Sequence, residues 1–158
     1  MPKIQQATEI RVPLPSAAEQ YYRHGWQSWS LTAWQDANRH ISPPKPARLL
    51  PLQTDPHYVY ELRPHGSWVG AVEMQNKRIL LLGALGLDAH VTLDGNTLIG
   101  IYESGTGDWF IDEGEEDEVF ARYAAQLAKR LGIYRTTATP NIWCSWYSFY
   151  THISEKRL

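Results

Sequence analysis

Five of the chain's seven tryptophans fall in two short stretches, Arg23–Trp34 and Asn141–Tyr150. Trp26, Trp29 and Trp34 lie within nine positions of one another, and Trp143 and Trp146 share the second stretch with Tyr147, Phe149 and Tyr150. An indole is large and apolar, with a single N–H that needs an acceptor. Such clusters build either an aromatic core or a surface for a flat ligand. Beside Gln27, Ser28 and Ser30 the first cluster suits a sugar, whose C–H face stacks on indole while its hydroxyls find polar side chains. Core filling is the competing role, and it fits Trp26, Trp68 and Trp109. If the first stretch is a regular strand, Trp26 and Trp29 point to opposite faces, because alternate residues do. One of the two is then free for another surface.

The other chemistry-bearing patterns read as structure. The acidic run from Asp112 to Glu118 could hold a cation or a catalytic carboxylate pair, but it stands where a helix begins, and acids stabilise that end of the dipole. Gly83-Ala84-Leu85-Gly86 lacks the spacing and lysine of a phosphate-binding loop and reads as a turn. His24, His40, His57, His65, His90 and His152 show no metal-ligand spacing. Cys144 is the sole cysteine, so neither an intramolecular disulfide nor a cysteine-based metal site can form, and its apolar setting makes it a packed residue. No Ser-His-Asp constellation is visible, and no motif calls for a cofactor or a metal.

Composition narrows the class. Apolar residues make up 43% and charged residues 20% of the 158 positions, ordinary values for one globular domain with a small appendage. A net charge of −2 with scattered lysines and arginines lacks the basic stripe of a nucleic-acid binder. The first residues carry no apolar leader and no stretch reaches the length of a membrane span, so a cytoplasmic, non-membrane protein is the expectation.

Short strands dominate the positioning elements. Thr8–Val12, Gly25–Leu31, His57–Leu62, Ser67–Met74, Arg78–Leu82, Val91–Leu93 and Thr97–Tyr102 carry strand-type residues between Pro and Gly punctuation. Asp94-Gly95-Asn96 is a hairpin turn, and Ser42–Pro56, with five prolines, is an irregular connection. The pattern predicts a mainly β fold, an antiparallel β-sandwich over residues 1–114. From Glu115 to Leu131 the spacing of Val119, Phe120, Tyr123, Ala124, Leu127 and Leu131 predicts a helix, with Gly132 as its C-terminal stop. Residues 115–140 are then a linker helix and connection. The apolar run from Asn141 and a possible cap at Ser154 look like the opening of another domain at 141–158.

Two motifs carry a family resemblance. Trp143-Cys144-Ser145-Trp146-Tyr147-Ser148-Phe149-Tyr150, followed by Ile153-Ser154-Glu155, resembles the segment that opens the catalytic barrel of glycoside hydrolase family 36 α-galactosidases, although Ile142 stands where that family usually has Gly. Trp26-Gln27-Ser28-Trp29 resembles the Trp-Gln-Ser-Trp motif of the preceding β-sandwich. The resemblance implies a galactose-mutarotase-like supersandwich, a linker helix and the first strand of a truncated (β/α)8 barrel, a domain of about 250 residues when whole. It implies a retaining mechanism with an Asp pair on later barrel strands, so that no catalytic residue lies in this chain. It implies that Trp29 reaches from the sandwich into the galactose pocket, and that Trp146 and Tyr147 line it from the first barrel strand. The partners implied are an α-galactoside, the missing barrel and other copies of the chain in a homo-oligomer. Two competing readings are a free-standing carbohydrate-binding sandwich without chemistry and a structural assembly domain.

Overall fold

Ten strands, a 3₁₀ turn and one long helix make up residues 1–27, 30–39, 55–133 and 154, the part of the chain that the computed structural model describes. The strands are β1 (Lys3–Ala7), β2 (Glu9–Pro13), β3 (Ala18–Arg23), β4 (Ala33–Asp36), β5 (His65–Ser67), β6 (Val69–Met74), β7 (Ile79–Ala84), β8 (Ala89–Asp94), β9 (Thr97–Tyr102) and β10 (Gly107–Gly114). The 3₁₀ turn is Pro56–Tyr58 and the helix, α1, is Glu116–Arg130. One sheet has six strands in the order β1-β10-β7-β6-β3-β4, and the other has four in the order β2-β9-β8-β5. Every pairing is antiparallel. The expected antiparallel sandwich is the fold.

β7 explains why the six-stranded sheet sits in the middle. Its residues Ile79-Leu80-Leu81-Leu82-Gly83-Ala84 are all buried, so it reads as a continuous apolar run rather than an alternation. Leu80, Leu82 and Ala84 point between the sheets, into a core with Tyr21, Val72, Val91, Leu98, Tyr102 and Trp109. Ile79 and Leu81 point the other way and join Phe110, Val119 and Tyr123 beneath α1. At Gly83 the Tyr123 ring occupies the place a Cβ would take, which lets the helix approach the sheet. The Tyr123 hydroxyl then donates to the Ala84 carbonyl at 2.8 Å.

The helix lies within one residue of its expected bounds at each end, with Glu116, Asp117 and Glu118 in the first turn and Gly132 leaving at φ 70°. Arg122 Nε bonds the buried Asp112 carboxylate at 2.6 Å and so ties the helix to β10. Trp34, the third tryptophan of the first cluster, belongs to this docking. Its ring meets Tyr22 edge-on at 5.4 Å and Phe120 at 6.5 Å, and its Nε1–H donates to Glu116 Oε1 at 2.8 Å. Trp34→Phe keeps an aromatic ring and loses that hydrogen bond, so urea unfolding is expected to show a loss of about 1 kcal/mol. A loss of 3 kcal/mol would mean that packing, not the bond, is what Trp34 supplies.

Two expected strands are absent. Gly25 to Leu31 is not a strand in its described residues: Trp26 and Gln27 lie in a bend, and Ser30 N–H donates to Gln27 O at 2.9 Å, closing a turn. Alternation across a strand therefore does not decide where Trp26 points, and Trp29 lies outside the described residues. His57–Leu62 is also no strand, because Asp55 accepts from His57 N at 3.0 Å and Pro56 sets the first position of a 3₁₀ turn. Conversely β1, β3, β4, β5 and β10 are not among the expected strands. The expected barrel strand at 141–158 lies, apart from Ser154, outside the described residues. No described helix is long and apolar enough to cross a membrane.

Candidate functional site

Trp68 is where the chain passes from one sheet to the other. β5 before it belongs to the four-stranded sheet and β6 after it to the six-stranded one. Its backbone sits at φ 48°, a region that bulky side chains rarely occupy and that stores strain. Both sheets hold it there: Trp68 N–H donates to Ala89 O and its carbonyl accepts from Ala84 N, each at 2.7 Å. The His24 ring stacks on its indole at 4.9 Å, tilted by 35°. Ser67 N–H donates to His24 O at 2.9 Å, which pins the end of β3 to β5.

From His24 the chain turns into the loop that carries Trp26 and Trp29. Gly25 N–H donates to Thr32 Oγ1 at 2.9 Å and fastens the two ends of this loop together. Trp26 is half-buried and faces Trp68 across a cleft of about 310 Å³. Asp55, Pro56 and His57 of the 3₁₀ turn, Leu87 and Asp88 of the β7–β8 loop, and Glu103 after β9 complete the walls. The Trp26 Nε1–H is buried without an acceptor among the described residues.

Three carboxylates rim this cleft, and each is already engaged. Asp55 caps the 3₁₀ turn, Asp88 accepts from the Ser104 hydroxyl, and Glu103 accepts from the Tyr58 hydroxyl at 2.5 Å. Burial, and then the bond to Glu103, push the Tyr58 phenol well above its ordinary pKa, so it stays a donor. Burial depresses His24, which keeps the ring against Trp68 neutral. The cleft thus sets two indole side chains beside acceptors that hydrogen bonds hold in place.

The cleft also lies at the end of the sandwich where α1 finishes. Arg130, in the last turn, reaches Asp108 at the start of β10 at 3.4 Å, and Leu85 of the β7–β8 loop bonds the Asp108 carbonyl at 2.9 Å. Chain leaving α1 therefore departs beside the aromatic end.

Of the residues expected in a site, Trp29, Trp146 and Tyr147 all lie outside the described residues. Of the tryptophans expected in the core, Trp109 is fully buried, whereas Trp26 and Trp68 are half-buried and share the cleft. Sequence reasoning missed Asp55, Asp88 and Glu103. They come from three separate loops, and no spacing connects them.

A sandwich of this form, with its closing helix, also occurs within a solved α-galactosidase. The α-galactosidase from Thermus thermophilus in complex with stachyose matches 97% of this chain with a TM-score of 0.86 and 42% identity. The same enzyme in complex with p-nitrophenyl α-D-galactopyranoside matches 98% with a TM-score of 0.85 and 41% identity. The chain spans about a third of those proteins, 33% and 31% of their lengths. It corresponds to the N-terminal domain of a glycoside hydrolase family 36 α-galactosidase. No family model and no curated protein matches the chain.

Proposed function

We propose that this chain is the N-terminal part of a retaining α-galactosidase-like hydrolase, supplying aromatic wall to a galactose pocket whose catalytic Asp pair lies in a following (β/α)8 barrel. The observation that carries the reading is 42% identity over 97% of the chain to an α-galactosidase three times its length. Geometry supports it, since the loop bearing Trp29 and the departure point of the chain toward Trp146 and Tyr147 share one end of the sandwich. Trp29 is proposed to stack on the sugar from the sandwich side, and Trp146 and Tyr147 to line the pocket at the mouth of the barrel's first strand, where such barrels place their sites. The nucleophile and the acid–base carboxylate that a retaining mechanism requires come from elsewhere.

Two assays test this. The chain alone is expected to release no nitrophenol from p-nitrophenyl α-D-galactopyranoside above background, because it has no route to a glycosyl-enzyme intermediate; turnover that co-purifies with the protein would refute that. In a chain continuous with a barrel, Trp29→Ala is expected to lower kcat/KM while Tm is kept. Trp26→Ala is expected to cost about 1–2 kcal/mol of stability, roughly half of full burial. If Trp29→Ala unfolds the protein and Trp26→Ala leaves stability intact, the two roles are reversed.

The cleft between Trp26 and Trp68 favours a second reading, a carbohydrate-binding sandwich without chemistry. Calorimetric titration of the chain with galactose separates the two. The first reading expects no detectable binding without the barrel wall, and a saturable heat would favour the second.

A further inference from the structure

The 3₁₀ turn that walls the cleft also covers two histidines. His65 and His90 project from the face of the four-stranded sheet opposite to Val91 and Leu93, yet each is only 2% exposed. Tyr58 lies flat on His90, their planes 2° apart, and the two histidine rings are 5.2 Å from each other. His65 Nδ1 is 3.0 Å from the Arg63 carbonyl. Its Nε2 and both nitrogens of His90 are buried without a hydrogen-bond partner among the described residues.

The charges around the pair oppose protonation. Arg23, at the end of β3, acts on both rings as a nearby positive charge, and its own Nε is buried without a hydrogen-bond partner among the described residues. His57 adds to this from the turn. Asp55 and Glu61 act in the opposite sense on His65, but Asp55 caps the turn and Glu61 is paired with Arg63 at 2.6 Å. Arg63 itself reaches Asp94 at 2.9 Å, and Glu103 is held by the Tyr58 hydroxyl. A neutral imidazole tolerates this dry site beside a cation, whereas an imidazolium does not.

We propose that the turn at Pro56–Tyr58 is an acid-released latch: protonation of His90 lifts Tyr58 from its ring and, because Asp55, Pro56 and His57 wall the cleft, opens the space between Trp26 and Trp68. Burial above all, with His65 and Arg23 adding, pushes His90 down to about 2 in the closed state. In the open state it returns to its ordinary value of about 6.5. The closed state thus binds fewer protons. Closure is fully favoured above pH 6.5 and is progressively lost below it. Between pH 7.5 and 5.0 the opening equilibrium is expected to rise about 30-fold.

Amide hydrogen exchange on the chain reads this directly. The amides of His57 and Tyr58, bonded to Asp55 at 3.0 and 2.9 Å, report the latch, and those of β7 report the fold. After correction for intrinsic rates, latch protection is expected to fall about 30-fold from pH 7.5 to 5.0 while β7 keeps its own. His90→Phe, which retains a ring for Tyr58, is expected to make latch protection independent of pH. Nuclear magnetic resonance titration of the unsubstituted chain requires no variant to fold, and should show His90 protonating in step with the loss of protection. Unchanged latch protection, simultaneous loss in β7, pH dependence surviving in His90→Phe, or a His90 still neutral when the latch opens would each overturn the proposal.

Discussion

Replacing Trp109 by alanine is expected to cost about 3–5 kcal/mol, the range for deleting a buried aromatic. Trp109 is fully buried near the start of β10, between the sheets. Its ring meets Tyr102 edge-on at 4.8 Å, and its indole N–H donates to the Ala7 carbonyl at 3.2 Å. It also fills the space that Gly100 leaves open, for a Cβ there would stand 2.6 Å from Trp109 Cη2. No backbone can close over the resulting hole without moving two sheets. A domain of this size has about 5–15 kcal/mol in total, so the variant should unfold at far lower urea with an unchanged slope. A shift equivalent to less than 1 kcal/mol would show that the centre of this core repacks freely.

Helix docking is the second point where a single atom should matter. Gly83→Ala is expected to destabilise by about 1–3 kcal/mol, because the added methyl meets the Tyr123 ring. Tyr123→Ala removes both that ring and its bond to Ala84, and is expected to cost about 3–4 kcal/mol. The two changes should not add. With the ring gone the methyl has room, so the double variant should be more stable than the sum of the singles predicts by about 1 kcal/mol or more. Thermal unfolding of the four proteins closes the cycle, and additivity within error would show that the glycine is not what seats the helix.

The sequence made some of this plain and concealed the rest for physical reasons. α1 was legible because one of its faces meets the sheet and the other meets solvent, so its apolar positions repeat with the helical period. β1 was not, because Lys-Ile-Gln-Gln-Ala is an exposed edge strand with no buried face to impose alternation. β10 was hidden by the acids that follow Ile111, one of which, Asp112, is buried against Arg122. His57–Leu62 has the aromatic and β-branched residues of a strand, yet Asp55 and Pro56 start a turn there, a local signal that outranks composition. At the candidate site, the Trp-Gln-Ser-Trp motif drew attention to Trp26, which lines the cleft, while Trp29 lies outside the described residues. Trp68 could not be foreseen as its corner, since nothing about a tryptophan announces a left-handed backbone.

The pairing of β1 with β10, Lys3 against Ile111, has a consequence for how the molecule is made. Once synthesised, β1 finds its neighbour only after roughly a hundred more residues, some 5–20 s at ordinary synthesis rates. Until then β10 is missing from between β1 and β7, and Trp109 is missing from the space between the sheets. Such long-range closure also makes for slow folding once the chain is complete. Truncation anywhere before Gly114 should therefore give not a smaller sandwich but a chain with an open seam along β7, whose Leu80 and Leu82 would be left to find partners in other molecules.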